Sequence, residues 1–165
     1  MPVTFPKPKL LEPKVPGLLV IGLLAAQFSF FGHGNNVESK CILKVDQPHY
    51  STYLNEYKAI DAIKLNITST CNVPQRFTEV SSSIFEITNN REVTAYSFPL
   101  TRAFPTPKSP QTAVLNGLFA KCEKGKEVAY EGRAKGYVFL RSGQKYPVSG
   151  SSGKFVAVLC SISAQ

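Results

Sequence analysis

The chain has 165 residues, 19 Lys and Arg against 11 Asp and Glu, a formal charge of +8, four Cys and no Trp. This length fits one domain with a terminal extension better than two domains. The apolar share of 43% argues against general disorder. With two His and no dense acidic cluster, the composition argues against a metal centre or a phosphoryl-transfer enzyme, and we expect no metal and no cofactor.

The N-terminal 34 residues have the layout of an export signal. Residues 1–16 contain three lysines and one glutamate, and residues 17–32 are uncharged and mostly apolar. The apolar run is shorter than the roughly 20 residues of a spanning helix and matches the core of a signal peptide. We predict an N-terminal hydrophobic helix that is either a signal peptide, cleaved after Gly34 or after Ala25-Ala26, or an uncleaved signal anchor; a buried core helix is the remaining alternative.

Both leading alternatives place residues 35–165 on the extracytoplasmic side, because the lysines of the first stretch stay cytoplasmic. The domain is then secreted or anchored in the membrane through residues 18–31. The four cysteines agree with this placement, since all lie beyond the apolar run and their even number predicts two disulfides. Of the three possible connectivities we favour the one that closes two local loops, which pairs Cys41 with Cys71 and Cys122 with Cys160.

The exported part has the alternating pattern of β-strands. In the stretch 63–71, Ile63, Leu65 and Ile67 alternate with polar residues, which predicts a half-buried strand. Further strands are predicted over 41–45, 77–88, 92–98, 112–122, 127–140, 145–149 and 154–162.

The segments between the strands carry turn signals. Asn89-Asn90 and residues 123–126 each predict a hairpin, residues 141–144 and 150–153 predict turns, and the four prolines of 99–111 predict a loop between sheets. Residues 51–60 are left open as a strand, a short helix or a loop.

Seven or eight strands with regularly spaced turns predict an all-β fold, an antiparallel sandwich. The strand number and length resemble immunoglobulin-like sandwiches in general class. The characteristic core Trp is absent, and no Tyr lies two residues before Cys122. The resemblance therefore implies a fold class and no functional residues.

Positive charge is concentrated in the C-terminal part of the chain. Residues 35–99 hold 6 basic and 7 acidic residues, whereas residues 100–165 hold 10 basic and 3 acidic residues. A basic face attracts anionic polymers, lipid head groups or acidic proteins. If neighbouring hairpins bring these side chains together, the candidate binding residues are Lys124, Lys126, Arg133, Lys135 and Arg141. A merely solvated surface is the alternative, and nucleic acid is not an expected partner of an exported protein.

No catalytic motif stands out, and we name no catalytic residues. The chain has no nucleophile elbow, phosphate-binding loop or zinc-protease motif. Asn66-Ile67-Thr68 is an N-glycosylation sequon on the predicted outward face of a strand, so Asn66 is a possible modification site.

These features favour a non-catalytic, exported or membrane-tethered β-sandwich that acts as an interaction or structural module of the cell surface or envelope. Its expected partner is a protein or an anionic surface polymer. One alternative is an accessory single-pass subunit of a membrane complex. Another is a small secreted protease inhibitor that presents the proline-rich segment 99–111.

Intact mass spectrometry of the native protein, with and without reduction and thiol labelling, checks the export argument. We expect no label before reduction and four labels after it. A soluble species that begins near Asn35 would establish cleavage, and a full-length species confined to membranes would establish the anchor. Four labels without reduction would contradict export.

Overall fold

The computed structural model describes residues 38–161, which form an antiparallel two-sheet β-sandwich with one short helix. The predicted N-terminal hydrophobic helix lies outside these residues. The described elements are, in chain order, β1 (Cys41–Val45), β2 (His49–Tyr50), α1 (Thr52–Lys58), β3 (Ala62–Cys71), β4 (Gln75–Thr88), β5 (Arg91–Ala103), β6 (Thr112–Lys121), β7 (Glu127–Leu140), β8 (Lys145–Ser151) and β9 (Val156–Leu159). The prediction of an all-β antiparallel sandwich is confirmed, whereas its immunoglobulin-like type stays a prediction.

The sandwich consists of two sheets that each have one interrupted edge. In sheet I, β3 is central, β6 pairs along one side of it, and β1 and β2 pair in succession along the other. In sheet II the order is β5-β4-β7, and β8 and β9 pair in succession along the free side of β7. All pairings are antiparallel.

The core lies between the two sheets. From sheet I, Ile63, Leu65 and Ile67 are at most 1% exposed. From sheet II, the corresponding residues are at most 2% exposed; they are Val80, Ile84, Val138 and Leu140. Burial of one such side chain contributes about 1.5–3 kcal/mol, so these alternating positions supply the main driving force for pairing the sheets.

Residues 51–60, which the sequence left open as a strand, a short helix or a loop, contain helix α1. The Ser51 hydroxyl accepts a hydrogen bond from the Leu54 amide at 3.3 Å and so caps the helix N-terminus. Leu54 is buried, and the helix ends at Ala59, which adopts a left-handed conformation with φ of 52°. Local capping and one apolar anchor therefore make this short stretch helical.

Three of the predicted connections are wrong in whole or in part. Residues 123–126 do not form a hairpin, because β6 pairs with β3 in sheet I whereas β7 pairs within sheet II. The turn reverses the chain while crossing from one sheet to the other. The predicted loop 99–111 is also too long, since Pro99 to Ala103 continue β5.

Pro99 is tolerated within β5 for two reasons. The strand is an edge of sheet II, and its register with β4 shifts between Val80 and Ser82, opposite Pro99. A bulge on an edge strand removes the need for the amide hydrogen that proline lacks. In the same way Gly150 and Ser151, which were predicted to form a turn, belong to β8, and the last strand is shorter than 154–162.

Each end of the sandwich is closed by a specific link. At the α1 end, the disulfide between Cys122 and Cys160 joins the end of β6 in sheet I to the end of β9 in sheet II. The second disulfide joins directly opposed residues of β1 and β3, Cys41 and Cys71. The structure thus has the two local pairings favoured above, each stabilising by about 3–4 kcal/mol in the chain-entropy model.

A buried hydrogen-bond network closes the opposite end. The hydroxyls of Ser69 and Thr78 donate to Gln75 Oε1 at 3.0 and 2.7 Å, and Gln75 Nε2 donates to the carbonyls of Ser69 and Gln111. Ser69 belongs to β3 and Thr78 to β4, so the network connects the two sheets. Every polar atom of the Gln75 amide is satisfied, which offsets the cost of burying it.

Gly136 permits the close approach of β4 and β7. A Cβ atom added at this residue would lie 2.1 Å from the Glu79 carbonyl oxygen and 2.7 Å from Val80 Cα. Both atoms belong to the backbone, so neither can move without disturbing the strand pairing. Gly117, on the edge strand β6, has open space around the same position.

We therefore expect Gly136→Ala to destabilise the protein by about 1–3 kcal/mol, as overpacking does. Gly117→Ala is the matched control and should change stability by no more than about 0.5 kcal/mol. Urea denaturation followed by circular dichroism measures both. Equal midpoints for the two variants would contradict the close approach.

A polar cluster holds α1 against the start of β3. The Tyr50 hydroxyl and the Asn55 amide nitrogen both donate to Asp61 Oδ1, the latter at 2.9 Å. Burial, the hydrogen bond to Asp61 and the charge of that carboxylate, in this order, raise the pKa of Tyr50 from 10.0 to about 12. The protonated phenol is thus favoured in the folded state.

Because the folded-state pKa is raised, the stabilisation from Tyr50 is complete below pH 10 and is lost as pH rises from 10 to 12. Tyr50→Phe should lower stability at pH 8 by on the order of 1 kcal/mol. The difference between the two proteins should then shrink above pH 10. Denaturation midpoints at pH 8, 10 and 11.5 test this, and a difference that is constant with pH would contradict it.

Candidate functional site

The outer face of sheet II carries a continuous depression, which we call the outer trough. Its larger part has a volume of about 840 Å³ and lies over Ser81, Lys135, Tyr137, Lys145 and Ser149. A smaller part of about 420 Å³ lies over Ser83, Phe85 and Arg133. The two parts share Ser81, Lys135 and Ser149, so Lys135 stands where they meet.

Strand alternation produces this depression. On β7 the even-numbered residues from Tyr130 to Leu140 point into the core, and the odd-numbered residues from Glu131 to Phe139 point outward. In the middle of the face, Ser81 and Ser149 stand opposite Lys135 on the neighbouring strands. Small serines in the middle rows and larger aromatic side chains at the ends leave a trough about 20 Å long, measured along β7 from residue 133 to 139.

Arg133, at one end of the trough, is neutralised by carboxylates. Its guanidinium donates two hydrogen bonds to Glu92, at 2.6 and 2.9 Å, and further bonds to Glu131. These contacts raise the pKa of Arg133, and the hydrogen bonds from Arg133 lower the pKa of Glu92. The guanidinium carbon also lies 4.4 Å from the centre of the Phe85 ring. Arg133 therefore organises this end of the trough instead of offering a free charge.

Arg102, on the edge strand, is neutralised in a similar way. Its guanidinium lies 3.3 Å from Glu79 and 4.3 Å from the centre of the Phe77 ring. Glu79 lines the larger part of the trough, so it remains a potential hydrogen-bond acceptor there.

Lys145 and Lys135 are the cations of the trough without such partners. The Lys145 ammonium lies 3.7 Å from the centre of the Tyr137 ring and 5.4 Å from that of Phe139, so the aromatic faces hold it in place. Within residues 38–161, no carboxylate lies within ion-pairing distance of Lys135 or Lys145. Their positive charges are available to a ligand.

The predicted binding residues do not form one basic face, and their part in binding stays a prediction. Arg133 and Lys135 lie on the trough. Lys124 and Lys126 lie in the turn before β7, and Arg141 follows its last residue. The 14 residues of β7 span about 45 Å, so these side chains stand at opposite ends of the domain.

Sequence reasoning did not select the residues that complete the trough, chiefly Tyr137, Lys145, Ser81 and Ser149. A signal for Tyr137 was present, since residues 133, 135, 137 and 139 alternate with core positions. The serines and Lys145 belong to neighbouring strands, and only the pairing register brings them beside β7.

Asn66, the possible glycosylation site, lies on the central strand β3. Its side chain is on the outer face of sheet I and is half-buried, and its Oδ1 is enclosed without a hydrogen-bond partner among the described residues. Its modification stays a prediction.

The described residues hold no other obvious centre of chemistry. Between Glu38 and Ser161 no group of three His, Cys, Asp or Glu side chains is placed to hold a metal ion. Over the same residues, no helix has the length and apolar character needed to cross a membrane. All four cysteines are in disulfides, which indicates a protein of the extracytoplasmic type.

Comparison with known proteins shows no family. No protein-family model and no curated protein matches the chain. Among solved structures, one solution structure named for the late embryogenesis abundant (LEA) proteins is similar, with 9% sequence identity and a TM-score of 0.41. The alignment covers 76% of this chain and 74% of that chain.

Proposed function

We propose that the protein is a non-catalytic interaction module of the cell surface or envelope that binds an anionic polymer in the outer trough. The observation that carries the proposal is the pair Lys135 and Lys145, two cations in one open depression that have no carboxylate partner among the described residues. Tyr137 positions the second of them. The disulfides support an oxidising compartment, where surface polymers are available as partners.

The trough suits binding more than chemistry. Its hydroxyls come from serines and from Tyr137 on an open sheet face, and among the described residues no histidine lines either part of it. A nucleophilic serine needs an adjacent base, and the one carboxylate among these lining residues, that of Glu79, is paired with Arg102. Binding through the side chains of a sheet face needs no such base.

The other two functional hypotheses have less support. A role as an accessory subunit of a membrane complex depends on residues 17–32, which lie outside the described part of the chain. The inhibitor hypothesis needs a projecting proline-rich loop, and the first five residues of 99–111 belong to β5.

Binding measurements with paired charge variants test the proposal. The probes are polygalacturonate, polyglutamate and inorganic polyphosphate, and affinity is measured by calorimetry on the full chain. Lys135→Gln with Lys145→Gln should weaken binding of the recognised polymer at least tenfold and flatten its salt dependence, because two ion contacts are lost.

The control is Lys124→Gln with Lys126→Gln, which removes the same charge at a remote turn and should leave binding nearly unchanged. Equal losses in the two double variants would mean that only net charge matters and would contradict the trough as the site. Failure of all three polymers to bind would contradict the proposed function itself.

A further inference from the structure

The charges of the outer trough are sparse and are mixed with hydroxyls. The register places Lys145 four residues along and one strand across from Lys135, about 14 Å between Cα atoms. Ser81 and Ser149 flank Lys135 on the neighbouring strands. In the next outward-facing row, between the two lysines, Glu79 lies opposite Tyr137. A ligand in this trough therefore meets two ammonium groups, several hydroxyls and one carboxylate.

This pattern does not suit a densely charged polymer. Duplex nucleic acid, for example, carries about one charge per 1.7 Å of its axis, so many of its charges would find no cation here. Several would also face Glu79, whose own charge is already shared with Arg102. Like charges brought together in this way oppose binding.

The location of the trough also disfavours an extended acidic peptide. Peptides gain much of their affinity by adding a strand to a sheet edge, where backbone groups are free. The trough lies on a sheet face, over β4 and β7, whose backbone groups are engaged in pairing on both sides. Recognition here has to come from side chains alone.

A glycan offers the complementary groups. Its hydroxyls donate and accept, as serine hydroxyls do, and they also donate to carboxylates such as Glu79. The apolar face of a sugar ring packs on exposed aromatic rings, and Tyr137 is 44% exposed beside the trough. Leu100, which is 61% exposed, adds apolar surface there. Carboxylates spaced along such a chain match the two separated lysines.

We infer that the outer trough binds a carboxylate-bearing polysaccharide, an inference that rests on the proposed function and names its ligand class. Lys135 and Lys145 contact the carboxylates, Ser81 and Ser149 exchange hydrogen bonds with ring hydroxyls, and Tyr137 supplies the stacking surface while it holds Lys145.

The test compares polygalacturonate with its methyl-esterified form, with polyglutamate and with polyphosphate at equal charge or monomer concentration. We expect polygalacturonate to bind at least tenfold more tightly than the other three. Tyr137→Ala should weaken polygalacturonate binding three- to tenfold, whereas Tyr137→Phe retains the ring and should bind nearly as the parent does. Tyr57→Ala removes a more exposed tyrosine (72% against 44%) from α1 and is the remote control.

The outcomes separate the two proposals. Polyphosphate or polyglutamate could bind as tightly as polygalacturonate, or more tightly, and still depend on Lys135 and Lys145. That result would contradict the polysaccharide as the ligand class, whereas the binding of an anionic polymer in the trough would stand. If the methyl ester bound as tightly as polygalacturonate, the proposed contacts between the two lysines and the polysaccharide carboxylates would be contradicted. No binding of any probe would overturn both. Thermal denaturation of each variant confirms that a loss of binding does not come from unfolding.

Discussion

The packing of one face of sheet I on one face of sheet II is the interaction on which the rest of this structure depends. It buries the alternating apolar residues of β3, β4 and β7, and it is closed by a disulfide at one end and by the Gln75 network at the other. Since side chains alternate along a strand, burial of one face decides which residues form the outer face. Residues of the outer face do not contribute to the core, so core packing does not restrict which residues stand there.

On the outer face of sheet II, the residues that do not pack in the core form the outer trough. Serines in the middle rows leave space, and the aromatic rings at the ends hold cations over their faces. Arg133 and Arg102 are neutralised by carboxylates, so they shape the trough without dominating its charge. The two lysines keep their charge available, and this is the basis on which we propose that the trough binds a polymer of sparse negative charge.

The edges of both sheets are built so that they do not present long, regular pairing surfaces. The edges formed by β1 with β2 and by β8 with β9 are interrupted. The edge strands β5 and β6 each carry a register shift, at Pro99 and opposite Asn66. Interruptions of this kind disfavour edge-to-edge association between copies. They leave the faces of the sandwich, rather than its edges, as the surfaces suited to specific contact.

The sequence by itself determined the features that depend on near neighbours. Alternation in 63–71 identified a strand and its inner face, Asn89-Asn90 marked a hairpin, and the favoured pairing of the cysteines closed local loops. Only the tertiary structure decided that β6 and β7 belong to different sheets, because a turn signal shows where the chain reverses and not which strand it then pairs with. The strand pairing within sheet II brings Ser81 and Ser149 beside Lys135 and Glu92 within reach of Arg133. The length of β7 separates Lys124 from Arg141. Such contacts join residues far apart in the chain. The register of the strands that make them is set by burial of the whole sheet face, and no local sequence pattern encodes that burial.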